Sequence, residues 1–183
     1  MAAENGKDIL MKEITRITAA DLKKVREIAY KTWPSAYGEI LSKEQIQYML
    51  DRFYNDNHLL NRMDTGSEFY VITLKGQASG FIELKTHPDN RLKIEKIYIL
   101  PDQQGHQLGQ LLITFATQKA AEYNTSSLFL NVNRYNKAIR FYEKQGFSIA
   151  GEEDIDIGSG YLMEDYIMIK PIDLLPSVKR DVS

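Results

Sequence analysis

Around Pro101 the chain changes its apolar period from that of a strand to that of a helix, and this switch constrains the fold more than any other feature. Residues 92–100 (LKIEKIYIL) read as a strand that becomes apolar on both faces toward its end, as a central strand does. A polar loop containing Gly105 follows. Beyond it Leu108, Leu111, Leu112, Phe115, Ala116 and Ala120 recur on one side of a helix. A strand feeding a helix through such a loop presents unpaired N–H groups and the positive end of the helix dipole, a ready site for a pyrophosphate. A plain strand–helix turn has the same outline. The loop is not a Walker loop, because no Gly-Lys-Ser/Thr follows, and it lacks a glycine and the βαβ repeat of a dinucleotide fold.

Upstream, residues 68–74 and 79–86 are rich in β-branched and aromatic residues and are joined by Gly76-Gln77. With residues 92–100 they predict an antiparallel meander. Before them, Thr18 with Asp21 predicts the start of a helix carrying Leu22, Val25, Ile28, Ala29 and Trp33, which Pro34 should stop. Ser42 with Gln45 predicts a capping box for a second helix, whose apolar face is Ile46, Met49, Leu50 and Phe53. Downstream come a short buried strand over 127–132, a helix over 136–145 closed by Gly146, and two strands over 147–157 and 161–170. The order β-α-α-β-β-β-α-β-α-β-β predicts one α+β domain over residues 1–183: a mixed, mostly antiparallel sheet of about seven strands flanked by four helices. Its core should span about residues 10–170, with 171–183 a tail over the surface.

The charges limit the function. Lys plus Arg number 23 and Asp plus Glu 25, a net charge of −2, so the basic excess of a phosphate-neutralising nucleic-acid binder is missing. With no cysteine there is no disulfide, thiolate metal site or cysteine nucleophile. His58, His87 and His106 have no spacing that suggests a metal. Neither a leader-like apolar run nor a stretch long enough to span a membrane is visible, so a cytoplasmic protein without membrane association is expected.

A second motif narrows the reading. Asn136-Lys137-Ala138-Ile139-Arg140-Phe141-Tyr142-Glu143-Lys144-Gln145-Gly146-Phe147 lies about 30 residues after the loop Gln104-Gly105-His106-Gln107-Leu108-Gly109-Gln110. Together, the two segments and the element order resemble the Gcn5-related N-acetyltransferase (GNAT) family. Its signatures are Gln/Arg-x-x-Gly-x-Gly/Ala at a pyrophosphate loop and Asn-x-x-Ala-x-x-x-Tyr-x-x-x-Gly-Phe downstream. The second is matched position for position. The first is matched at Gln104 and Gly109, with Gln107 where the family usually has glycine.

The resemblance implies acetyl-CoA as cosubstrate, no metal, and a primary amine as acceptor. It assigns Ile97, Tyr98 and Ile99 to the pantetheine and thioester, Gln104, Gly105, His106, Gln107, Leu108, Gly109 and Gln110 to the pyrophosphate, and Asn136 to the pantetheine arm or the following loop. Tyr142 becomes the acid that protonates the departing thiolate, being neutral beforehand at a phenol's usual pKa of about 10. An ammonium must lose a proton before it attacks. Glu95 is the first candidate to take it; Glu83 on the neighbouring strand and a water relay are the alternatives. Trp33, Tyr37 and Glu83 fall on the acceptor side. Residues 150–166 hold six acidic and no basic side chains, leaving +4 for the rest of the chain. Such a segment either draws in a cationic amine, as in the polyamine-acetylating branch, or is a solvated hairpin edge. Acetylation of a protein amine and non-catalytic acyl-CoA binding are the other readings. A homodimer through terminal strands would follow family habit.

Overall fold

In the computed structural model, residues 11–173 are described. The expectations for the N-terminus and for most of the C-terminal tail lie outside these residues. Seven strands form one sheet in the order β1-β2-β3-β4-β5-β7-β6. They are β1 (Lys12–Arg16), β2 (Glu68–Leu74), β3 (Gln77–His87), β4 (Arg91–Ile99), β5 (Ser127–Asn133), β6 (Ser148–Gly158) and β7 (Tyr161–Pro171). Only β4 and β5 run parallel, joined by helix α4 (Leu108–Glu122); the other neighbours are antiparallel. The remaining helices are α1 (Leu22–Tyr37), α2 (Lys43–Phe53), α3 (Asp56–Asp64) and the short α5 (Ile139–Lys144).

Strand alternation builds two cores. Tyr70, Ile72 and Leu74 of β2 point to the face covered by α4 and α5, with Leu108, Leu112, Ile113 and Ala116. Phe69 and Val71 point the other way, into a cluster with Val25, Ile28, Trp33, Leu50 and Leu59 from α1, α2 and α3. Side chains of successive strand residues face opposite sides, so a strand apolar at every position can serve two layers. No described helix is long and apolar enough to cross a membrane.

Four local expectations change. Pro34 lies inside α1, which continues to Tyr37. The last turn brings Tyr37 against Trp33, with the rings tilted and their centroids 4.7 Å apart. Thr18 makes no side-chain cap; a 3-10 turn, Ala19–Asp21, precedes the helix instead. The helix Asp56–Asp64 was not anticipated, yet it is capped by Asn55, whose side chain accepts from His58 N at 2.9 Å. The capping residue of α2 stands as read, with Ser42 Oγ accepting from Gln45 N at 3.1 Å. The Gln45 side chain does not reach back, and its amide donates to Leu162 O at 3.3 Å.

Candidate active site

β4 and β5 pair only from Arg91↔Ser127 to Ile94↔Leu130. Beyond Ile94 β5 no longer pairs with β4, and a cleft of about 1210 Å³ opens there, lined by residues 93–99 of β4 and by Leu130, Asn131, Val132 and Asn133 of β5. Ligands of sheets with parallel strands collect beyond the carboxyl ends of those strands, next to the following helix. The cleft reaches both faces of the sheet: Phe141 and Tyr142 of α5 line one side, Trp33, Tyr37 and Tyr54 the other.

At the α4 end the cleft is lined by Gln104, Gly105, Gln107, Leu108, Gly109 and Gln110. Gln107 has φ +61, a left-handed conformation that a glycine adopts freely and that costs a residue with a Cβ roughly 1–2 kcal/mol. The backbone therefore keeps the shape of the glycine loop although the side chain differs. No acidic residue sits in the first turn of α4, so nothing there opposes an anion at the helix N-terminus. Gly109 faces the Phe141 ring, and a Cβ would meet its Cζ at 3.2 Å. His106 is exposed and is not among the cleft-lining residues.

Ile97 and Ile99 pack with the α4/α5 core, whereas Tyr98 points to the α1–α3 side. There its hydroxyl lies 2.9 Å from that of Tyr37. Burial raises the pKa of both phenols. Tyr142 is 8% exposed and is likewise pushed up, by burial first and then by Tyr37, so it stays protonated at any physiological pH. Asn136 Oδ1 accepts from Ala138 N at 2.8 Å and shapes the turn into α5, which begins at Ile139 rather than at Asn136. Gly146, at φ +90, closes that helix as read.

The carboxylates are arranged differently from the sequence reading. The β3–β4 register shifts so that Glu83 pairs with Lys96 and Leu84 with Ile94, leaving Glu95 as the extra residue of a β-bulge. The bulge breaks alternation and lets Glu95 and Lys96 both reach the α3 side. Glu83 is fully buried and engaged by Arg62 Nε at 2.6 Å and Lys96 Nζ at 2.7 Å. It does not line the cleft, so the acceptor-side role expected of it is not supported. Glu95 lines the cleft but pairs with Arg62 Nη2 at 3.1 Å and Lys93 Nζ at 3.4 Å. Burial pushes its pKa up, yet Lys93 and Arg62 outweigh that and hold it below the usual carboxylate range. A carboxylate held down in this way accepts a proton less readily.

The sequence placed Asp165 of β7 among the six acids of residues 150–166 without singling it out. It is 4% exposed, lines the cleft, and makes no ion pair among the described residues. Burial, then the neighbouring Glu153, raises its pKa to about 6, while Lys93 and Arg134 pull it back. A signal existed: on β7 Tyr161, Met163, Asp165, Ile167 and Ile169 share one side, an acid in an otherwise apolar row. The expected acidic wall is otherwise absent from the cleft, because Ile155, Leu162 and Met163 are the hairpin's other lining residues. Glu152, Asp154 and Glu164 gather around Arg134 instead, at 3.1, 2.5 and 3.4 Å.

Comparison with known proteins agrees with this architecture. The family model for the acetyltransferase (GNAT) family matches residues 22–147. A spermidine N(1)-acetyltransferase from Thermoplasma acidophilum is 29% identical over 158 residues, covering 83% of this chain and 95% of the relative. The crystal structure of the PaiA N-acetyltransferase from the same organism, in complex with coenzyme A, superposes with a TM-score of 0.75 at 27% identity, covering 88% of this chain and 99% of that one. A GCN5-related N-acetyltransferase from Rhodopseudomonas palustris has the same fold, with a TM-score of 0.77 at 20% identity, covering 90% of this chain and 98% of that one. With its parallel-strand opening, its helix-borne loop and this match over most of the chain, the protein belongs to the GNAT family of acetyl-CoA-dependent N-acetyltransferases.

Proposed function

We propose that this enzyme moves an acetyl group from acetyl-CoA directly to a primary amine of a small cationic acceptor, a polyamine being the best fit. The observation that carries the acceptor class is the α1–α3 mouth of the cleft. There a buried carboxylate without an ion-pair partner among the described residues, Asp165, lies in one cavity with Trp33, Tyr37 and Tyr98. A cation is favoured by that charge and by the aromatic faces. The spermidine-acetylating relative supports the same class.

The cofactor half follows from the loop. Backbone N–H groups at Leu108, Gly109 and Gln110, left over at the start of α4, fit a pyrophosphate, and Gln104, Gly105 and Gln107 complete the loop around it. The edge of residues Ile97 to Ile99 that β5 leaves unpaired can carry the pantetheine arm, beside Asn136. With both substrates in one cleft, alignment alone is worth up to roughly 7–11 kcal/mol. A β4 backbone N–H near Tyr98 or Ile99 polarises the thioester oxygen.

As the amine attacks, the carbon–sulfur bond breaks and the thiolate needs a proton. Tyr142 supplies it. Burial raises the phenol, but a thiolate forming in the same pocket loses water too, which raises its own proton affinity. No cysteinyl acyl-enzyme can form, because the chain has no cysteine. That composition also suits a reducing, cytoplasmic setting.

The test is an amine panel with acetyl-CoA, read by free-thiol release: spermidine, spermine, putrescine, free lysine and a lysine peptide. Turnover led by the polyamines supports the proposal; turnover confined to the peptide would overturn the acceptor class. Tyr142→Phe should lower kcat by about 10² or more with acetyl-CoA affinity unchanged, the usual size of a lost general acid. An unchanged kcat would remove Tyr142 from that role.

A further inference from the structure

We propose that the Asp165 carboxylate receives the ammonium of the acceptor at the α1–α3 mouth of the β4/β5 opening and takes the proton that must leave before nitrogen attacks. The inference rests on the function proposed above and names the base that function requires.

Position comes first. Asp165 pairs with Asn133 of β5 on one side and Glu153 of β6 on the other, so it sits at the far end of the strand that borders the opening. Met163 and Tyr161, which share its side of β7, pack with the α1–α3 core. Its side chain is therefore on the acceptor side of the sheet, near enough for its charge to raise the Tyr37 phenol. Tyr37, Tyr142 and Asp165 all line the one cleft, so a proton acceptor and a proton donor open onto the same space.

Partners come second. The groups facing Asp165 are Glu153 of β6, Lys93 of β4, Arg134 after β5, and Tyr37 of α1, with the amide of Asn131 giving weak support. Neither cation bonds to it. Lys93 is paired with Glu95, Arg134 with the hairpin acids, and the Asn131 amide donates to Glu153 Oε2 at 3.0 Å. A carboxylate that is more than nine-tenths buried normally has a paired cation or strong donors. Here the missing partner is a cation from outside, and the cavity leads to it.

The proton count closes. Asp165 takes one proton from the ammonium, giving a neutral amine. Nitrogen forms its bond to the carbonyl carbon, and the carbon–sulfur bond breaks with its electron pair on sulfur. Tyr142 gives its proton to that sulfur and recovers one from the acylated nitrogen, while Asp165 releases its own to water. The products are the amide, the free thiol and one solvent proton.

Two measurements on Asp165→Asn decide the matter. In steady state, kcat/KM for spermidine should fall about 10²-fold or more. In calorimetry on the coenzyme A complex, spermidine should bind at least tenfold more weakly, with coenzyme A affinity unchanged. A variant within threefold of the wild type in both would overturn the proposal. A wild-type enzyme that acetylates no amine would overturn the acceptor function itself. The binding comparison still judges Asp165 in that case, and equal spermidine affinity in the two proteins would overturn its role.

Discussion

Carboxylates at and behind the two ends of one cleft are held in opposite ways. At the α3 end, Glu83 and Glu95 are held by Arg62, Lys93 and Lys96 within 2.6–3.4 Å. At the β7 end, Asp165 is buried with no such partner among the described residues. Burial alone raises a carboxylate pKa, and close cations lower it again. Paired acids become structure, fixing the bulge of β4 against α3. The unpaired acid keeps a proton affinity near the working pH, where a base is most useful.

The contrast can be broken most severely at Glu83. Glu83→Ala leaves Lys96 without its carboxylate and Arg62 with Glu95 alone, and should cost about 3 kcal/mol of stability in denaturant unfolding. A loss below 1 kcal/mol would mean that the pair is not structural. Asp165→Asn should do the reverse and stabilise the fold at pH 7 by about 1–2 kcal/mol. The sign follows from the raised pKa. The folded state holds the proton more tightly than the unfolded chain, so stability falls as pH rises from about 4 to 6 and stays lowered above that. Removing the carboxylate should flatten this dependence, and a destabilised variant would contradict the absence of a partner. A finer adjustment uses Glu153, which adds to the rise at Asp165. Glu153→Gln should move the acid limb of kcat/KM a few tenths of a pH unit downward, and an upward move would reverse the assigned coupling.

What was legible in the sequence was local. The meander, the helix after Pro101, the cap at Ser42 and the closing glycine at Gly146 each depend on a few neighbouring residues, and each is present. The motif around Tyr142 brought the fold with it. Less legible was anything set by distant packing. Pro34 stays inside α1, and the turn beyond it carries Tyr37 to Tyr98 of β4, a contact that no helix-stop rule contains. Gln107 takes a glycine's conformation without being one. The fates of Glu83 and Glu95 depend on Arg62, from a helix that was not anticipated, and on a bulge that puts neighbouring side chains on one side. Asp165 stood inside an acidic run, where composition suggested six similar charges. Strand pairing separates them, turning one into the cleft and gathering three around Arg134.

The central claim is that the unpaired acid, and not the paired one, accepts the proton. It is tested most directly by kcat/KM for spermidine from pH 5 to 8 in the wild type, Glu95→Gln and Asp165→Asn. An acceptor must be ionised, so the wild-type rate should fall as pH drops through about 6. Glu95→Gln should keep that limb and Asp165→Asn should lose it along with most of the activity. A limb that survives in Asp165→Asn and disappears in Glu95→Gln would contradict the account.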